Sequence, residues 1–69
     1  MIYNKNTIGI EIKKMMLEKG VSQKDIASKI GRTQQALNRS IKDGNMRLNS
    51  LAEIADAMGC LLEINFIEK

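Results

Sequence analysis

The stretch from Ser22 to Lys42, SQKDIASKIGRTQQALNRSIK, is punctuated so closely that few folds can accommodate it. Ser22 followed three residues later by Asp25 resembles a capping box with Asp in place of Glu or Gln, so a helix should begin near Gln23. Ile26, Ala27 and Ile30 recur at helical spacing, and the small Ala27 lets a neighbouring helix come close. Gly31 can take the left-handed conformation that ends a helix. Thr33 can cap the next one, because its hydroxyl can accept from an otherwise unpaired backbone N–H in the first turn. The segment therefore reads as two short helices hinged at a glycine.

The second helix of the pair, over 33–43, carries the chemistry. On a helical wheel Ala36, Leu37, Ser40 and Ile41 share one arc, small or apolar, that can pack inward. Gln34, Gln35, Asn38, Arg39, Lys42 and Asp43 fill the other half. Amides placed there can form paired hydrogen bonds to an adenine edge in a DNA major groove, and a guanidinium or ammonium suits bases and phosphates. The plainer explanation is a solvated polar face. Such faces are usually rich in Glu, whereas this helix has none and bears a single acid, Asp43, at its far end. A tight glycine turn between two helices is also the helix-turn-helix pattern, with an ordinary αα-hairpin as its alternative.

Ser22-Gln23, Ile26-Ala27, Ile30-Gly31, Thr33-Gln34-Gln35 and Leu37, followed by Leu51-x-x-Ile54-Ala55-x-x-Met58-Gly59, resemble the phage repressor and Cro type of helix-turn-helix protein, the XRE family, over about residues 8–60. The Thr-Gln-Gln start is similar to phage repressors that read adenine with paired glutamines. The resemblance implies a mainly α fold, a lambda-repressor-like bundle of four to five short helices. It also implies that Gln23 binds a phosphate, and that Thr33, Gln34, Gln35 and Arg39 face bases or nearby backbone. One departure stands out. The family commonly places an apolar residue three positions after the one matching Leu37, then a glycine; here that position is Ser40, and Gly44 arrives one residue late. The helix should run slightly longer or end in a different turn.

Charge distribution agrees with a partner of negative charge. Residues 1–47 carry ten Lys and Arg against four acids, and residues 48–69 one Lys against four acids. The halves thus bear +6 and −3. A basic section suits phosphates, and an acidic one keeps clear of them, although solvated charge explains the same numbers. Lys24, Arg32, Lys42 and Arg47 are candidate phosphate anchors, and Asn38 joins the candidates for base contact. There is no histidine, and the carboxylates form no obvious pair, so catalysis is not expected and neither a metal nor a cofactor is called for. Cys60 is alone, which fits a reducing cytoplasm and a small packed residue after Gly59. Neither a targeting segment nor a membrane span is visible. The 69 residues suit one small domain over 1–69, with a core of marginal size.

The remaining chain reads as scaffold, with one exception. Asn6 or Thr7 can cap a first helix that runs to about Lys19 and ends at Gly20, with Ile8, Ile12, Met15 and Lys19 as its inner stripe, the lysine at the frayed end. Ile10 and Leu17 lie on a different side beside Met16, so something should cover that side. A later helix, about 48–58, should bury Leu48, Leu51, Ile54, Ala55 and Met58, and Asp43-Gly44-Asn45 is a turn signal. The exception is the tail. Leu62, Ile64 and Phe66 alternate with Glu63 and Asn65, which predicts a half-buried strand over about 61–67. A strand needs a partner. Met1-Ile2-Tyr3 is one; the same tail in a second copy, antiparallel across a two-fold axis, is the other, making Leu62, Ile64 and Phe66 dimerisation residues. The favoured arrangement combines both in a small sheet whose apolar face covers the second side of the first helix. Such a dimer would present its recognition helices to an inverted-repeat DNA operator. The expectation is a small dimeric repressor of phage or mobile-element type, with an antitoxin or a protein-interaction module that has lost DNA binding as alternatives.

Overall fold

The computed structural model describes residues 2–69, which hold four helices and no strand. They are α1 (Ile8–Lys19), α2 (Gln23–Ile30), α3 (Gln34–Asp43) and α4 (Leu48–Ala57). The architecture is mainly α, and α2 sits centrally, packing on both α3 and α4 while α1 packs on α3. No helix among the described residues is long and apolar enough to cross a membrane.

The helix pair forms as its punctuation predicts. Ser22 Oγ accepts from the Asp25 N–H at 3.1 Å, and Asp25 Oδ2 accepts from the Ser22 N–H at 3.3 Å, completing the capping box. Gly31 closes α2 at φ 71°, a left-handed conformation that a side chain would strain. Thr33 Oγ1 then accepts from Ala36 N–H at 3.1 Å and opens α3. That helix runs to Asp43 and ends on Gly44 at φ 68°, so the late glycine lengthens it. Gly44 is buried, and a Cβ there would collide with the backbone carbonyl of Lys5.

Ile26, Leu37, Ile41 and Ile54 are the largest fully buried side chains, with Ile8, Ile12, Ala27, Ala57 and Met58 around them. Each buried Ile or Leu contributes roughly 1.5–3 kcal/mol by leaving water. Three of those four anchors come from α2 and α3, so the pair is held by the core it helps to make. Gly9 sits where α1 crosses α3; a Cβ there would stand 2.6 Å from the Ile41 carbonyl oxygen.

Four expectations are corrected. Thr7 precedes α1 but makes no cap bond, because its backbone is already helical (φ −113°, ψ −17°). Its hydroxyl instead donates back to the Asn4 carbonyl at 3.1 Å. Leu48 is exposed, since α4 begins there and its first turn projects beyond the core. Ile10 and Leu17 remain open at 57% and 84% exposure. The tail does not cover them: Leu61, Leu62 and Glu63 instead border a groove between α1 and α4 with Ile8, Ile12 and Leu51.

The tail itself is the fourth correction. Residues 61–69 form no strand, because a ladder needs a second backbone and none among the described residues pairs with them. Tyr3 lines one groove with Leu62, Ile64 and Phe66, yet its hydroxyl donates to the Gly44 carbonyl at 3.4 Å and its backbone joins no ladder, while Met1 of the expected pairing lies outside the described residues. Alternation survives locally: Asn65 Nδ2 donates to Glu63 Oε1 at 2.9 Å, placing these residues two apart on one side. Leu61 and Phe66 are almost wholly exposed.

Candidate nucleic-acid interface

The buried residues Leu37 and Ile41 fix which side of α3 faces outward. With them inward, Gln34, Gln35, Asn38, Arg39 and Lys42 are all exposed. These are the polar residues that the wheel assigned to one half, and Asp43 joins them only at the last turn.

Two helices contribute to the front of this surface. Gln23, in the first turn of α2, lines one shallow depression of about 260 Å³ with Gln34, Gln35 and Asn38. Four amide side chains thus surround one opening, each able to donate and accept. A second depression, about 620 Å³, continues along α3 between Gln35, Asn38, Arg39, Lys42 and Asp43. Amides therefore occupy the N-terminal end of the helix and cations its C-terminal half. A surface of this kind can match the donor and acceptor pattern of a base edge and, beside it, a phosphate.

Other candidate residues lie around that core in different states. Lys24 is exposed one residue along α2 from Gln23, and Arg47 is exposed just before α4, outside both depressions. Thr33 is exposed at the start of α3, and its hydroxyl oxygen accepts from Ala36, which leaves the hydroxyl proton able to donate. Arg32 differs from the other cations. It is half-buried, and its Nη2 donates to Ser40 Oγ at 3.0 Å. Lys29 is likewise engaged, donating to the Ala57 carbonyl at 3.2 Å at the end of α4. Neither link was foreseen. Ser40 stood out in the sequence as a hydroxyl at a usually apolar position, but its partner lay eight residues back across a turn.

The Asp25 carboxyl has its pKa held below the ordinary carboxylate value. Hydrogen bonds from the Ser22 side chain and backbone are the chief causes, and Lys29 and Lys24 add smaller attractions. The start of α2, and with it Gln23, is therefore best ordered when this acid is ionised.

A capped helix, a left-handed glycine turn and a second helix with its amide face outward define a helix-turn-helix DNA-binding domain. The chain belongs to the Cro/C1-type HTH DNA-binding domain family, whose model matches residues 11–63. That span takes in all four helices apart from the first turn of α1, together with the beginning of the tail. No curated protein matches the chain.

Proposed function

We propose that this protein is a small dimeric transcriptional repressor, of the type found in phages and mobile elements, that inserts α3 into the major groove of an inverted-repeat operator. The observation that carries the reading is the gathering of Gln23, Gln34, Gln35 and Asn38 around one opening, with Arg39 and Lys42 beside it. In this reading Gln34, Gln35, Asn38 and Arg39 meet base edges, with an adenine as the natural target of a glutamine amide. Gln23, Lys24, Thr33, Lys42 and Arg47 meet the sugar-phosphate backbone and set the register.

The tail supports the dimer. Leu62, Ile64 and Phe66 alternate with polar neighbours, and the backbone that carries them has no ladder partner among the described residues. The same tail from a second copy would complete both ladders and cover the exposed apolar side chains. Two recognition helices related by a two-fold axis then reach successive major grooves about 34 Å apart.

Selection of bound duplexes from a random library at two salt concentrations tests this. Enrichment of an inverted repeat with adenine-containing half-sites is the expected result. Salt-sensitive binding without any enriched sequence would replace the repressor with an architectural or partner-dependent role. Absence of binding at either salt would leave a protein-interaction module.

A further inference from the structure

Arg32 occupies an unusual place, since its two halves belong to different helices. Its backbone N–H donates to the Ala27 carbonyl at 2.9 Å, which ties its main chain to the closing turn of α2. Its side chain crosses to α3, where Nη2 meets Ser40 Oγ at 3.0 Å. The next residue, Thr33, caps α3. Ser40 lies on the flank of α3 shared with Ala36, both half-buried, away from the flank where Asn38 and Gln34 face Gln23. The pair therefore holds α3 by one edge, while Leu37 and Ile41 hold it from beneath.

We propose that Arg32 is a positioning residue: its hydrogen bond to Ser40 fixes the roll of α3 about its axis, and base discrimination depends on this pair although neither member touches a base. The proposal rests on the reading of α3 as the base-reading helix. Magnitudes give it force. Outward side chains stand roughly 5–6 Å from a helix axis, so a roll of about 10° carries an amide sideways by about 1 Å. Paired amide–adenine hydrogen bonds have a distance range of about 0.5 Å, so a shift of that size breaks at least one of them. A guanidinium suits the task because it is always charged and its donors are fixed in a plane. Arg32 was expected from sequence among the phosphate anchors; its half-buried position and its bond to Ser40 favour the inward role instead.

Arg32→Ala, Ser40→Ala, the double variant and Ser40→Thr test the proposal in the full-length chain. Equilibrium unfolding without DNA reads the link itself, through the coupling between the two alanine substitutions. Binding is then measured on the selected duplex and on its single-base variants across a salt series, at a temperature where circular dichroism shows every variant folded. The expected coupling in free protein is about three-fold or more in the unfolding constant. Each alanine variant should lose base discrimination by a similar factor, about three- to ten-fold, and the double variant should lose no more than either. Ser40→Thr, which keeps the hydroxyl, should discriminate as the wild type does. The slope of log affinity against log salt should be the same for all.

Four results would overturn it. Arg32→Ala alone weakening every duplex equally, with the salt slope smaller by about 0.9, would make Arg32 a phosphate ligand. Additive substitutions in free protein would remove the link. A wild type with no sequence preference would withdraw the base-reading function and this role along with it, whereas a wild type that discriminates beside variants that do so equally well would withdraw this role alone.

Discussion

The helix pair and the tail are similarly apolar in places, yet one is tightly determined by its own sequence and the other is not. Between Ser22 and Gly44 nearly every structural decision has its cause within four residues: a capping box, a left-handed glycine, a threonine cap and a second glycine stop. The tail has a clear period of two, but that period states only which side chains share a face. What it pairs with is decided by another stretch of backbone, and none is supplied among the described residues. Local hydrogen bonds make a motif self-sufficient; a strand is a request for a partner.

The largest test of this contrast is a cavity in the shared core. Leu37→Ala should lower stability by about 2–5 kcal/mol, read from urea unfolding. That is a large part of the roughly 3–10 kcal/mol expected for a domain of this size. A loss under 1 kcal/mol would mean that the pair stands on its caps and not on its core. Gln35→Ala should leave folding unchanged and cost about 1–3 kcal/mol of binding at a single base pair, relaxing preference there. Retention of full affinity and preference by that variant would end the adenine-reading role. Thr33→Ala should cost about 1 kcal/mol in thermal unfolding, because it leaves the Ala36 N–H without its partner.

Acid offers a gentler probe of the same pair. The Asp25 pKa is lowered in the folded chain, so the unfolded state binds this proton more readily. Its contribution is complete above the unfolded value and is lost as pH falls through the folded one. Amide shifts of α2 should report loosening only at the acid end of that window, and Ser22→Ala should raise the Asp25 titration midpoint. An unchanged midpoint in that variant would show that the capping box does not set it. The smallest effect is expected at the other end of the chain. Phe66→Ala should change monomer unfolding by less than about 0.5 kcal/mol, because the ring is fully exposed. In the proposed dimer it should nevertheless weaken self-association in sedimentation experiments. A large loss of monomer stability would place the tail with the core after all.

These differences explain which parts of the molecule could be read in advance. Ser22, Gly31, Thr33 and Gly44 act through neighbours in sequence, so their roles were visible in one pass. The outward set of α3 follows from periodicity alone, with Leu37 and Ile41 forming its inner side. Thr7 was misjudged because its cap depends on the conformation of the residues before it, where Asn4 closes a turn. Leu48 looked internal by spacing alone, but spacing gives a face and not a depth. The Arg32–Ser40 bond needed both ends of a turn in three dimensions. Among site residues, the amides were legible from their helix, and the engagement of Lys29 and Arg32 was not.

The contact between the N-terminal segment and the end of α3 has a practical optical consequence. The chain has a single tyrosine and no tryptophan, so Tyr3 dominates its near-ultraviolet absorption and its fluorescence. That phenol hydroxyl donates to the carbonyl of Gly44, the residue that terminates the base-reading helix in our proposal. The protein therefore carries a native chromophore at the foot of this helix, and its unlabelled fluorescence can follow that end during a titration.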